Sequence, residues 1–121
     1  MEVFFDVSNG VLIAHITGEL DHHTSAPLRN AIDKTMKECG CRDLILDLTG
    51  VGFMDSSGIG IALGRYKKLA KIGGKLCIAG CSPYIDRILD MAGVFSIIPK
   101  ESDVQSALCL FGGEEQLCME V

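Results

Sequence analysis

No stretch of this 121-residue sequence approaches the roughly 18 consecutive apolar residues that cross a bilayer, so no membrane-spanning helix and no membrane partner are expected. The first residues, Met1 to Asp6, lack the basic-then-apolar order of a secretory signal peptide, which points to a cytoplasmic protein. Basic residues are scarce: 11 Lys and Arg stand against 16 Asp and Glu, giving a net charge of −5. Phosphate backbones are held by clustered Lys and Arg, so direct nucleic-acid binding is not expected. The one basic run, Arg65-Tyr66-Lys67-Lys68 with Lys71 and Lys75 nearby, reads as a solvated helix face. The paired C-x-x-C of a zinc ribbon is missing too. The six cysteines offer C-x-C once (Cys39, Cys41) and C-x-x-x-C once (Cys77, Cys81). Without an export signal, stable disulfides are not expected. Cys77 and Cys109 sit among apolar neighbours, where the thiol behaves as a small hydrophobe.

Missing motifs exclude chemistry in the same way. Ser56 with His22 or His23 and Asp21 has the residue types of a hydrolase triad, but the G-x-S-x-G elbow is lacking and no oxyanion hole can be located. His22 and His23 are adjacent and do not form the i, i+4 pair of a metal-binding helix. His15 falls mid-strand and reads as a satisfied core or edge residue. Gly73-Gly74-Lys75 lacks Walker spacing and precedes a strand. No catalytic residue, metal ligand or cofactor is expected.

What is present is a chain 48% hydrophobic and 22% charged, the composition of one compact domain with one core. Asn9-Gly10 between two β-prone runs, residues 3–7 and 11–17, predicts an antiparallel hairpin. The period then changes. Leu28, Ala31, Ile32, Thr35, Met36 and Cys39 recur at helical spacing, with Thr24 or Ser25 as cap, Pro27 in the first turn and Gly40 at the end. Residues 44–48 read as a buried parallel strand, and 49–55, with Gly50 and Gly52, as a loop. A second helix is predicted over 56–72, with Ile59, Ala62, Leu63, Tyr66, Leu69 and Ala70 as its apolar face. A strand over 75–79, a helix over 83–92, a short strand over 95–98 and a last helix from a Ser102 cap to about residue 111 complete the order. That order, β-β-α-β-α-β-α-β-α, predicts an α/β fold whose mixed, mostly parallel sheet has four to five strands and about four helices. Residues 1–112 form the domain and 113–121 an acidic, frayed tail.

Two polar segments each follow a strand and precede a helix: 18–24, with Glu19, Asp21, His22 and His23, and 53–58, with Asp55, Ser56, Ser57 and Gly58. The carboxyl ends of parallel strands form the functional edge of such sheets, so both segments belong on one rim. A helix N-cap accounts for part of Asp55-Ser56-Ser57, yet two hydroxyls and a carboxylate exceed one cap's need. Gly58, Gly60 and Gly64 leave one side of the helix bare, at about 1 kcal/mol each against alanine. A hydroxyl at a helix N-terminus suits a phosphoryl group, because the dipole and free amides favour an anion there.

These residues resemble the STAS domain family. Residues 17–24, Thr-Gly-Glu-Leu-Asp-His-His-Thr, 53–60, Phe-Met-Asp-Ser-Ser-Gly-Ile-Gly, and 63–67, Leu-Gly-Arg-Tyr-Lys, are together similar to the sporulation-type anti-sigma factor antagonists of that family, over nearly the whole chain. The resemblance implies a STAS fold and a partner switch. The unphosphorylated antagonist would bind an anti-sigma factor that is also a serine kinase, and so release the sigma factor. Phosphorylation of Ser56 by that kinase would end binding, and a serine phosphatase would restore it. Glu19, Asp21, His22, His23, Asp55, Ser57, Gly58 and Gly60 would accompany Ser56 in the partner-binding surface. The alternatives are a nucleotide-binding or weakly nucleotide-hydrolysing domain using the same rim, and a STAS subunit of another signalling or transport complex.

Overall fold

The computed structural model describes residues 1–111. Asn9 and Gly10 both take positive φ (49° and 80°) and turn strand β1 (Glu2–Ser8) back on β2 (Val11–Leu20), as the Asn-Gly signal predicts. Then follow α1 (Ser25–Cys39), β3 (Asp43–Met54), α2 (Ser56–Ala70), β4 (Leu76–Ala79), α3 (Pro83–Met91), a 3-10 turn (Val94–Ser96), β5 (Lys100–Glu101) and α4 (Val104–Cys109). Among the described residues, five strands lie in the order β1-β2-β3-β4-β5. Only the β1–β2 pair is antiparallel; the other three pairings are parallel. The mixed, mostly parallel sheet and its four helices match the fold read from the sequence. The acidic tail expected at 113–121 lies outside the described residues.

Alternation along the strands divides the core. Leu12, Ala14 and Ile16 of β2 and Leu44, Leu46 and Leu48 of β3 face α1, α2 and α3, where Leu28, Ile32, Ile61, Ile85 and Leu89 close the layer. Val11, Ile13, Ile45, Cys77 and Ala79 point to the other face, under Ala107 and Leu108 of α4. Burial pushes the Cys77 thiol up to about 12, Glu101 and Cys81 adding to it, which keeps it protonated and apolar in behaviour. Cys109 departs from expectation: it is disulfide-bonded, whereas Cys39, Cys41, Cys77 and Cys81 are free thiols.

Four local readings need correction. Residues 49–54 are strand, not loop: β3 continues to Met54 by pairing with the end of β2, Thr17 with Gly50 through Leu20 with Met54. Bulges between His15 and Thr17 and between Gly18 and Glu19 re-phase that pairing. A Cβ on Gly50 would stand 2.6 Å from Thr17 Cγ2, so glycine there permits the close approach. Residues 95–98 do not form a strand. Gly93, at φ 79°, turns the chain into the 3-10 helix, which buries Val94 and Ile98 completely. The fifth strand is instead Lys100–Glu101, beyond Pro99. Asp103, not Ser102, caps α4, accepting from the Ser106 amide at 2.8 Å.

The fourth correction concerns α2. Its fully buried positions are Gly58, Ile61, Ala62, Arg65 and Leu69, while Ile59, Leu63 and Tyr66 are half-buried and Ala70 is exposed. A glycine and an arginine on the inner face hid that stripe. Arg65 is not part of a solvated basic face: it is only 9% exposed, and its Nε lies 3.1 Å from Asp33 Oδ1 of α1. Asp33 Oδ2 also meets Lys68 Nζ at 3.3 Å.

His15 is satisfied, as its mid-strand place suggested. Its Nδ1 lies 2.7 Å from Asp47 Oδ2 and its Nε2 2.9 Å from Asp6 Oδ2, with the ring stacked on Phe4 at 4.7 Å. Burial alone would raise the Asp47 carboxyl, but the Thr49 hydroxyl at 2.6 Å, His15 and the Thr49 amide outweigh it and hold it below its ordinary value. A carboxyl lowered by folding stabilises the fold above the unfolded-state value, about 3.9, and loses that contribution as pH falls through its folded value. Asp47→Asn is therefore expected to lower stability at pH 7 by about 1–2 kcal/mol, with the gap to wild type closing below about pH 4. Urea unfolding followed by circular dichroism across that range tests it; a constant gap would contradict the assignment.

Candidate functional site

The extensions of β2 and β3 beyond the rest of the sheet bring the two polar segments to one rim. The Asp55 amide donates to the Leu20 carbonyl at 3.1 Å, so the segment after β2 and the start of α2 leave the sheet side by side. Asp21 then folds its own loop. Its Oδ1 accepts from the amides of His23 (2.9 Å) and Thr24 (3.1 Å). Thr24 does not cap α1 with its side chain. Its hydroxyl donates to the Glu19 carbonyl at 2.9 Å and accepts from the Asp21 amide at 2.9 Å, closing the loop from both ends. Desolvation raises the Asp21 carboxyl, yet the Thr24 and His23 hydrogen bonds prevail and hold it below its ordinary value. Asp21 is thus an anion at neutral pH.

Asp55 is the N-cap of α2, and its Oδ1 accepts from the Ser57 amide at 2.8 Å. With the cap supplied by Asp55, Ser56 has no such duty. It occupies the first helical position, is exposed, and its hydroxyl has no hydrogen-bond partner among the described residues. No acidic side chain occupies the first turn of α2, while Lys67 and Lys68 lie in its last, so the positive end of the helix dipole faces the rim uncompensated beyond Asp55.

The remaining residues divide by burial. Glu19, His22, His23 and Gly60 are exposed, and Asp21, Asp55 and Ser57 are half-buried. The two histidine rings meet edge to face at 5.6 Å. Gly58 is buried, out of reach of a docking partner. A Cβ there would stand 2.6 Å from Met54 Cγ and 3.1 Å from Leu20 Cβ, so glycine lets the helix start sit on both strand ends. Gly60 and Gly64 have no such neighbour: a Cβ at either would meet nothing within 4 Å. With Ser56 they recur every four residues, one uncovered flank of α2. Phe53, paired with Glu19 and 40% exposed, is a rim residue that the sequence reading did not assign. Strict alternation would not have found it, since Gly52 and Phe53 are both exposed between buried Val51 and Met54 where the pairing with β2 is bulged. Among the described residues, no group of three His, Cys, Asp or Glu side chains could hold a metal, and no helix is long and apolar enough to cross a membrane.

The STAS domain model matches residues 4–107. The chain belongs to the STAS domain family. It is 39% identical over 108 residues to the anti-sigma F factor antagonist of Paenibacillus polymyxa, covering 89% of this chain and 92% of that one. Its fold is similar to that of the anti-sigma factor antagonist SpoIIAA in its unphosphorylated form, with a TM-score of 0.79 at 24% identity over 93% of this chain and 97% of that one. SpoIIAA from Bacillus in its phosphorylated form gives a TM-score of 0.70 at 23% identity, over 90% of this chain and 99% of that one. In this STAS domain the rim is built from a capped helix start, a looped aspartate and a seating glycine.

The two glycines make opposite predictions. Gly58→Ala should destabilise the fold by about 1–3 kcal/mol, since Met54 or Leu20 must shift. Gly60→Ala should stabilise it by about 0.5–1 kcal/mol through helix propensity alone. Thermal and urea unfolding of both variants measures the contrast; equal signs would show that the helix is not seated as described.

Proposed function

We propose that the chain is a cytoplasmic anti-sigma factor antagonist that performs no catalysis and is switched by phosphorylation of Ser56. In this reading the unphosphorylated rim binds an anti-sigma factor that is also a serine kinase, so that the sigma factor is released. The kinase uses ATP to modify Ser56, the complex separates, and a serine phosphatase returns the protein to its binding state. The observation that carries the proposal is the exposed Ser56 hydroxyl at the start of α2, relieved of capping by Asp55. The 39% identity to a protein named as an anti-sigma F factor antagonist supports the partner class.

The physical basis of the switch is local charge. A phosphoryl group adds about −1.5 to −2 at neutral pH. It would stand beside the Asp55 carboxylate, on a rim that also carries Asp21 and Glu19. The helix N-terminus tolerates that anion in the free protein. An interface formed around a neutral hydroxyl would have to desolvate it, and a partner with acidic groups would be repelled. Glu19, Asp21, His22, His23, Asp55, Ser57 and Gly60 supply the surrounding contact surface, with Gly58 acting from beneath by fixing the helix start. No rearrangement of the backbone is required.

With the cognate kinase and ATP, the protein is expected to take up one phosphate, on Ser56, and to lose about a hundredfold or more in affinity, a change of roughly 3 kcal/mol. Ser56→Ala should remain unmodified and keep its partner in the presence of ATP. Intact-mass and peptide mass spectrometry with calorimetry decide the matter. Phosphate on another residue, or equal affinities before and after modification, would overturn the proposal.

A further inference from the structure

At the end of the sheet opposite the Ser56 rim, α1 and α2 enclose a cleft of about 350 Å³. It lies beside the last turn of α2, a helix of 15 residues, and so roughly 20 Å from the phosphorylation site at 1.5 Å rise per residue. Its walls are apolar: Ile32 and Met36 from α1, Leu44 from the start of β3, Leu69 and Ile72 from α2 and the turn after it. Ile72 is 52% exposed there, a large aliphatic side chain with one flank uncovered. The volume falls within the range of about 300–1,000 Å³ that holds small molecules in mostly apolar pockets with a few placed polar groups.

The polar groups here are unbalanced. Arg65, Lys37, Lys68 and Asp33 also line the cleft. One carboxylate, Asp33, serves both Arg65 and Lys68. Arg65 is only 9% exposed, and despite the 3.1 Å approach to Asp33 neither its Nε nor its Nη1 has an acceptor in hydrogen-bond geometry among the described residues. Buried guanidinium N–H groups are normally matched by oxygen acceptors in their plane, most often a carboxylate's. An acidic protein thus carries, beside an apolar cleft, a buried cation short of an acceptor and two lysines, with one anion among them in the described residues.

We propose that this cleft binds a small monoanionic amphiphile, a free aliphatic carboxylate of medium chain length, with its chain along Ile32, Met36, Leu69 and Ile72 and its carboxylate on Arg65. The class follows from the two halves of the site. The apolar walls exclude a sugar or nucleotide, which would leave its polar groups without partners. The excess of cations excludes an ammonium amphiphile. A neutral alcohol of the same length would fill the walls and could accept one N–H, but it brings neither the negative charge nor the second in-plane oxygen that a guanidinium takes from a carboxylate. This site is independent of the Ser56 reading and stands or falls apart from it.

The test is an NMR titration of the isotope-labelled full chain with decanoate, below its micelle concentration, and with decanol. Decanoate is expected to move the methyl signals of Ile32, Leu69 and Ile72 saturably and to bind about tenfold or more tighter than decanol, a difference of about 1.4 kcal/mol. Met36→Trp, which fills the cleft and leaves the ion pair intact, should weaken decanoate about tenfold or more. Arg65→Met should erase the preference over decanol; should that variant fail to fold, Met36→Trp still decides. Absence of saturable shifts, equal affinity for the two ligands, an unaffected Met36→Trp variant, or a response to anionic phospholipid vesicles without one to decanoate would each overturn the proposal.

Discussion

The hydrogen bond from the Asp55 amide to the Leu20 carbonyl is the point at which fold and function meet. It forms because β2 and β3 run on together past the rest of the sheet, through two bulges, until Leu20 stands opposite Met54. Everything at the rim depends on that termination. The Asp21 loop begins one residue after Leu20, and the cap of α2 is the next residue after Met54. Gly58 then lowers the first turn of the helix onto both strand ends, where any side chain would hold it away. A slip of one residue in the β2–β3 register would reverse which side chains face inward and separate the two segments.

Division of labour at the helix start explains why one hydroxyl is left available. Asp55 takes the capping bond from the Ser57 amide, and Thr24 and Asp21 satisfy each other within their own loop. Ser56 inherits the positive end of the helix without an obligation to the backbone. A carboxylate cap beside an uncommitted hydroxyl has two consequences under this reading. In the free protein the dipole offsets added negative charge. In a desolvated interface that compensation is insufficient, because the cost of removing a multiply charged group from water exceeds what one helix end returns. Under the proposed switch, the same geometry would permit modification and penalise the modified complex.

The opposite end of the molecule follows different rules. There Arg65 and Asp33 join α1 to α2 across an apolar floor, and Lys68 shares the same carboxylate. Ion pairs with little exposure contribute less to stability than their distances suggest, since both partners are desolvated. What they do accomplish is to fix how the two helices lie against each other, and in this protein they leave a cleft beside the pair.

Much was legible in the residues alone. Asn9-Gly10 specified its hairpin because both positions must take positive φ, a demand few other pairs meet at low cost. The helix α1 announced itself by its period, although Thr24 does not cap it with its side chain, and Asp55-Ser56-Ser57 placed the start of α2 correctly because capping is a local interaction. The order of strands and helices was enough to put both polar segments on one rim, and their residues resemble the STAS family by sequence alone. What tertiary structure alone decided were the properties that depend on a distant neighbour. Gly50 and Gly52 read as loop until Thr17 is seen to need the space at Gly50. Arg65 read as a solvent-facing cation until Asp33, on another helix, made its burial tolerable. Phe95 to Ile98 read as strand by composition, but a left-handed Gly93 and full burial of Val94 and Ile98 drew the segment into a turn. Local propensity and capping are written in consecutive residues, whereas close approach, charge pairing and register are set by contacts between residues far apart in the chain.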